Sequence, residues 1–316
     1  MRVAVFGTST FAVPILDALA SSSRHAVVLC VTQPDTPRGR GQLVEPTPVK
    51  QAAQRLKIPI AQPARLDPSV LAPGQPEIGV VAAYGRLISR GVLDALPRGM
   101  IGVHPSLLPK YRGAAPIAWT MLNGEAETGV TIYQLTEELD AGAILEQERT
   151  AVAPDEDAIK LSERLARLGA AAALWVLDAI ARGQARPVPQ DPQQATYAPK
   201  LTKAHGQIDW QAPADAIARL VRATQPWPGA STALGPVPLK ICAARVSAEA
   251  APSGMAPGII VEICGALRVA TGRGVLDILE LQPAGKRRMR AQEFLAGHRV
   301  ELGQRFSPSA RKDAHA

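Results

Sequence analysis

The sequence predicts a two-domain α/β protein: a doubly wound, mostly parallel sheet followed by a small OB-fold-like β-barrel. Three observations carry this expectation. Short apolar runs alternate with helical segments from Val3 to Arg182, the pattern of a sheet covered by helices on both faces. Beyond Lys203 that alternation gives way to short strand-like runs separated by Gly/Pro turns, as in a small barrel. A chain of 316 residues also suits two domains at about 150 residues each.

The elements follow in order. Val3–Phe6 is an apolar strand ending in Gly7-Thr8-Ser9-Thr10, after which Phe11, Ile15, Leu16 and Leu19 recur at helical spacing, with Ser9 or Thr10 placed to cap. Ala26–Val31 reads as a second strand, Pro48–Leu56 as a helix, Ile78–Ala83 as a buried strand and Ile88–Leu96 as another helix. Met100–His104 and Val130–Leu135 are further strands, and a long Ala/Leu helix from Ala158 to Arg182 closes the domain, its Trp175 and leucines expected on the sheet. Pro187, Pro189, Pro192 and Pro199 with little periodicity mark residues 184–203 as a linker. A helix at Ala214–Ala223 and strands at Ser231–Leu234, Leu239–Ala244, Gly258–Ile263, Leu267–Thr271 and Val275–Gln282 build the second domain. The expected divisions are therefore 1–183, 184–203 and 204–311.

Composition narrows the function classes. No stretch reaches the roughly 18 uncharged apolar residues of a membrane span, and the opening apolar run breaks at Gly7. Cys30, Cys242 and Cys264 form no C-x-x-C and leave an odd count, which suits reduced thiols in the cytoplasm and argues against a zinc or disulfide framework. The net charge of +7 is unevenly placed. Residues 1–196 hold 19 basic and 19 acidic side chains, whereas residues 197–316 hold 16 and 9. A basic module after a neutral one points to a polyanion as the second domain's partner.

Chemistry concentrates in the first domain. Gly7-Thr8-Ser9-Thr10 lacks the G-x-G-x-x-G fingerprint of dinucleotide sites. Residues 33–50 form a long loop with Arg38 and Arg40 among glycines and prolines, of a length that is uncommon unless functional or disordered; phosphate contact and a merely solvated connection both fit. His104 ends an apolar strand, where an α/β sheet presents catalytic groups. Asp140 follows the next strand; a carboxylate in that turn could orient His104 and stabilise its imidazolium, a pairing that spacing alone leaves open.

Taken together, His104-Pro-Ser-Leu-Leu-Pro, Arg112-Gly-Ala-Ala-Pro116, Gly129-Val-Thr-Ile132 and Leu139-Asp140-Ala-Gly142 resemble the formyltransferases that use 10-formyltetrahydrofolate. Gly7-Thr8 with Phe11-Ala12, Gln33-Pro34-Asp35 with Gly39-Arg40-Gly41, Tyr197-Ala198-Pro199-Lys200-Leu201, Pro226-Trp227-Pro228-Gly229 and Gly285-Lys286 with Ala291-Gln292 narrow the resemblance to the methionyl-tRNA formyltransferases. It covers essentially the whole chain.

The resemblance implies that His104 and Asp140 are catalytic and that Ser106, Leu107, Leu108, Pro109, Tyr84 and Gly85 bind the folate. It implies that Arg38 and Arg40 contact the tRNA acceptor end, with Lys203, Lys286, Arg287 and Arg288 serving the second domain's grip on initiator methionyl-tRNA. No metal, membrane or obligate protein partner is implied. A formyltransferase for a small amine and a catalytically impaired tRNA-binding relative are the alternatives. One departure stands out: the family pattern Asn-x-His reads Gly102-Val103-His104 here. The Asn is expected to donate to the formyl oxygen, so with Gly102 in its place the site either takes a replacement donor, for which Ser106, a nearby backbone N–H or a water in the room glycine leaves are the candidates, or works more slowly, and Gly102→Asn is expected to raise kcat.

Overall fold

A computed structural model describes residues 1–38, 43–249, 254–263 and 266–308. The chain divides into two compact units, one formed by Met1–Pro116, Ala126–Val152 and Lys160–Pro199, the other by Ile117–Glu125, Ala153–Ile159 and Lys200–Ala316.

In the first unit the elements are β1 (Arg2–Gly7), α1 (Ala12–Ala20), β2 (Ala26–Val31), β3 (Thr36–Arg38), β4 (Leu43–Glu45), α2 (Pro48–Arg55), β5 (Ile60–Ala61), β6 (Ile78–Ala82), α3 (Arg90–Asp94) and β7 (Met100–His104). After them come β8 (Arg112–Gly113), β9 (Glu127–Gln134), β10 (Ile144–Ala151), α5 (Ala158–Ala181), whose first two residues fall in the other unit, and β11 (Tyr197–Ala198), while α4 (Pro116–Leu122), between β8 and β9 in the chain, belongs to the other unit from Ile117 on. The main sheet runs β10-β9-β7-β6-β1-β2-β5. Its inner pairs from β5 to β7 are parallel, while β9 pairs antiparallel with both β7 and β10.

The order reverses between β1 and β6, because the chain builds outward from β1 to β5 and then returns to β6. Such a reversal opens a crevice at the carboxyl ends of the strands. Val3, Ala4, Val5 and Phe6 are all fully buried, as a central strand covered on both faces requires. Ile15, Leu16 and Leu19 of α1 and Leu161, Leu165 and Leu177 of α5 supply buried apolar faces, each such side chain contributing roughly 1.5–3 kcal/mol of burial free energy.

Two local expectations are corrected. Neither Ser9 nor Thr10 caps α1 through its side chain; Phe11 occupies the cap position, and the first turn closes through the Ser9 and Thr10 carbonyls, which accept from Ala12 and Val13. Trp175 is 55% exposed, because it lies on the outer stripe of α5 while the neighbouring Val176 and Leu177 turn inward. The 33–50 segment contains a short antiparallel hairpin of β3 and β4, and its tip, residues 39–42, lies outside the described residues.

The second unit holds α6 (Ala214–Ala223), β12 (Ala230–Leu234), β13 (Val237–Val246), β14 (Ile260–Ile263), β15 (Leu267–Ala270), β16 (Val275–Pro283), β17 (Met289–Arg290), α7 (Ala291–Gly297) and β18 (Phe306–Ser307). Its antiparallel sheet runs β14-β15-β16-β13-β12-β18 and curls until Arg305 bridges back to Ile259, giving a barrel-like wall. Ile217 and Val221 of α6 and Phe294 of α7 pack with Trp210, Ile241, Ile278 and Phe306 in its core.

Candidate active site

Side chains two apart on a strand share a face, and directly opposed residues of an antiparallel pair stand side by side on it. Gly102 and His104 of β7 therefore share one face, and the register sets Gly102 against Tyr133 and His104 against Thr131 of β9. His104 arrives at the carboxyl end of its strand with only 7% of its side chain exposed. Its Nε2 lies 2.8 Å from the Tyr111 carbonyl. A carbonyl accepts only, so Nε2 carries the proton of that bond. Nδ1 then faces the Asp140 carboxylate, with Oδ2 at 3.6 Å.

Asp140 sits in a turn between β9 and β10 with φ +52°, a left-handed backbone that Asp tolerates better than most residues. Both carboxylate oxygens are held. The Tyr133 hydroxyl donates to Oδ1 at 2.6 Å and the Gly113 N–H donates to Oδ2 at 2.7 Å. Burial, and then the Asp140 charge beside it, push the Tyr133 phenol well above its ordinary value, so it stays protonated and remains a donor. Gly113 has φ +119°, and a Cβ there would lie 2.8 Å from the Ala198 carbonyl oxygen, so only glycine brings this N–H to the carboxylate without displacing the backbone.

Segments distant in sequence fix the floor of the site. The Tyr111 N–H donates to Thr196 Oγ1, and β8 pairs in parallel with β11. Gln190 donates from its amide to the carbonyls of Asp140 and Gly142, both at 2.8 Å, and accepts from the buried Arg112 guanidinium at 2.8 and 3.1 Å. The Asp140 turn is thus clamped by a residue of the segment that sequence reasoning assigned to a linker. Tyr133, Gln190 and Thr196 were all missed, because none lies in a motif; an aromatic directly across from Gly102 was the available signal, and it needed the antiparallel register.

The formyl transferase family model matches residues 1–177 and its C-terminal domain model matches residues 200–299. Methionyl-tRNA formyltransferase of Roseiflexus sp. is 44% identical over 314 residues, covering 98% of this chain and 96% of the relative. That of Roseiflexus castenholzii is 46% identical over 310 residues, covering 97% and 99%. The chain belongs to the methionyl-tRNA formyltransferase family. In fold it is also similar to HypX from Aquifex aeolicus, solved in complex with tetrahydrofolic acid, with a TM-score of 0.64 at 16% identity, covering 99% of this chain and 51% of that one.

For a methionyl-tRNA formyltransferase family member, several residues expected to face ligands are turned to other work. Ser106 is fully buried and its hydroxyl donates to the Lys110 carbonyl at 2.7 Å, so its proton is committed within the 104–111 loop. Leu108 is buried and its N–H donates to Thr131, whereas Leu107 and Pro109 are half-buried. The Tyr84 ring lies in the core edge-on to Phe6 at 5.7 Å, and its carbonyl accepts from Thr8 and Gln33. What this segment leaves open is the exposed backbone at Gly85, with φ +78°.

Arg40 lies outside the described residues, and Arg38 is described only in its place on β3. In the second unit Lys203, Lys286, Arg287 and Arg288 are all exposed, but Arg287 is paired with Glu293 at 2.6 Å and Arg288 with Glu280 at 2.5 Å. Among the described residues no group of His, Cys, Asp and Glu side chains could hold a metal ion, and no helix is long and apolar enough to cross a membrane.

Proposed function

We propose that this chain transfers a formyl group from 10-formyltetrahydrofolate to the α-amine of methionine esterified to initiator tRNA, with His104 and Asp140 as the catalytic pair. The observation that carries the assignment of the pair is the geometry at the end of β7: an imidazole facing a carboxylate whose two oxygens are both pinned. A carboxylate held this way favours a positive charge on the ring. The imidazolium then stabilises the negative charge that gathers on the formyl oxygen as the amine adds, and Asp140 accepts the amine proton, directly or through a water.

The folate supplies the formyl carbon. The open backbone at Gly85, where a Cβ would meet Gln33 Nε2 at 2.7 Å, and the half-buried apolar side chains of Leu107 and Pro109 fit a flat heteroaromatic ring, while Tyr84 and Ser106 hold those segments from behind. Arg38 and Arg40 guide the acceptor end, and the basic second unit, including Lys203 and Lys286, holds the tRNA through phosphates. No step is assigned to a metal, a membrane or a protein partner, and the tRNA substrate sets the reaction in the cytoplasm.

The test is a formyl-transfer assay offering methionyl initiator tRNA beside free amines, among them a nucleotide sugar and glycinamide ribonucleotide. Formylation of the charged tRNA alone supports the reading. Preference for a free amine, or no transfer to any acceptor, would sink it.

A further inference from the structure

We propose that Tyr133 is a positioning residue for formyl transfer, admitted to the site by Gly102 and acting through the Asp140 carboxylate; this rests on the function proposed above. Gly102 and Tyr133 are opposed in register on one face of the sheet. A Cβ built on Gly102 would lie 2.3 Å from Tyr133 Cε1, 2.5 Å from Cζ and 2.7 Å from the hydroxyl oxygen, far inside the roughly 3.5–4.0 Å at which non-bonded carbons rest. Any side chain at position 102 would have to expel the phenol. The space opposite the glycine is therefore neither a water site nor an empty slot: the Tyr133 ring fills it.

The ring brings one proton to one defined place. The hydroxyl donates to Asp140 Oδ1 at 2.6 Å, within the short range of a charge-assisted bond, while the Gly113 N–H holds Oδ2. A carboxylate gripped by donors on both oxygens cannot rotate freely about its Cβ–Cγ bond, and the oxygen that faces His104 Nδ1 stays aimed at it. The phenol stands edge-on to the imidazole, with ring centroids 6.4 Å apart and planes at 89°. Its single proton is committed to Asp140, so its influence on the reaction passes through that carboxylate.

Tyr133→Phe keeps the ring in the glycine's space and removes only the hydroxyl. Loss of one hydrogen bond to a charged group predicts a fall in kcat of roughly 10- to 100-fold, with KM for the folate little changed. The acidic limb of the kcat/KM profile moves to higher pH, because a bond that favoured the charged carboxylate is gone. In an Asp140→Asn background the same substitution adds little further loss. An unmoved pH profile, or an equal loss in both backgrounds, would overturn the proposal.

Two further measurements do not depend on turnover. The titration of a ¹³C-labelled Asp140 carboxyl moves to higher pH in Tyr133→Phe if the hydroxyl holds it; an identical titration in both proteins overturns the positioning role. Gly102→Ala lowers the melting temperature, and the drop is smaller when Tyr133→Leu has removed the ring. Equal drops in both backgrounds would overturn the coupling. If the unaltered protein formylates no acceptor, the proposed function fails, while these two measurements still decide how Gly102, Tyr133 and Asp140 act on one another.

Discussion

His104 and Asp140 differ in what holds them, and the difference shapes what their removal does. His104 Nε2 is anchored on a backbone carbonyl, whereas Asp140 is anchored by Tyr133 and Gly113. Replacing either His104 or Asp140 with Ala is expected to lower formylation by at least ~10²-fold while tRNA affinity stays nearly the same. Steady-state kinetics together with filter binding check this, and near-normal turnover in either variant would remove that residue from the catalytic pair. His104 was legible in the sequence because it ends an apolar strand; its partnership with Asp140 by spacing alone was a choice among several carboxylates. Tyr133 was not legible as a site residue, since between Ile132 and Gln134 it reads as one more member of a strand.

Where periodicity indicated an element the structure has one, with β2 and β7 spanning the residues the sequence indicated and the helix expected at Ile88–Leu96 shortened to Arg90–Asp94, whereas α4, β10 and α7 were not anticipated. The segment after Gly183 behaves differently. Prolines and the lack of periodicity made it read as a tether, yet Val188 bridges to Ile144, Gln190 clamps the Asp140 turn and β11 pairs with β8. Its order comes from bonds to distant residues, which no local pattern announces. Gln190→Ala would leave the buried Arg112 guanidinium without the amide oxygen that accepts from it and free the Asp140 carbonyl. A loss of about 1–3 kcal/mol is expected from the unsatisfied groups, seen as a lower melting temperature, accompanied by reduced kcat. An unchanged melting temperature with unchanged kcat would show that the clamp holds nothing the reaction needs.

At the scale of the molecule, charge and burial make two measurable statements. If phosphates of tRNA meet the second unit, Lys286→Ala reduces the slope of log affinity against log salt by about 0.7–0.9. Arg287→Ala and Arg288→Ala reduce it less, because each cation already faces a carboxylate. Equal slopes for all four proteins would place the grip elsewhere. In the first unit His25 is buried, with Nε2 2.9 Å from Asp178 Oδ1. Burial lowers its titration below the ordinary histidine value, only partly opposed by the Asp178 hydrogen bond.

The folded state therefore favours neutral His25. That contribution to stability is present above about pH 6.5 and is lost as the pH falls through the lowered folded value. Melting temperatures between pH 7.5 and 5 should drop more steeply for the unaltered protein than for His25→Gln. Parallel curves would assign the pH dependence to other groups.

The sequence by itself determined the fold class of both parts, the positions of β1, β2, β6, β7, of β12 to β16 and of the long helix α5, the family resemblance and the placement of His104 at a strand end, but not the eight-residue strand β10 or the short strands β3, β4, β5, β8, β11, β17 and β18. The former are local properties: apolar alternation, helical spacing and contiguous motifs are written in neighbouring residues. Only the tertiary structure decided that β9 runs antiparallel against β7, that this register sets Tyr133 in the space opposite Gly102, that the Ser106 hydroxyl and the Tyr84 ring turn into the fold, and that Gln190 locks the Asp140 turn. Each of those depends on which strand lies beside which and on the space left between them. Close packing over distances of a few ångströms settles such matters among residues tens of positions apart in the chain.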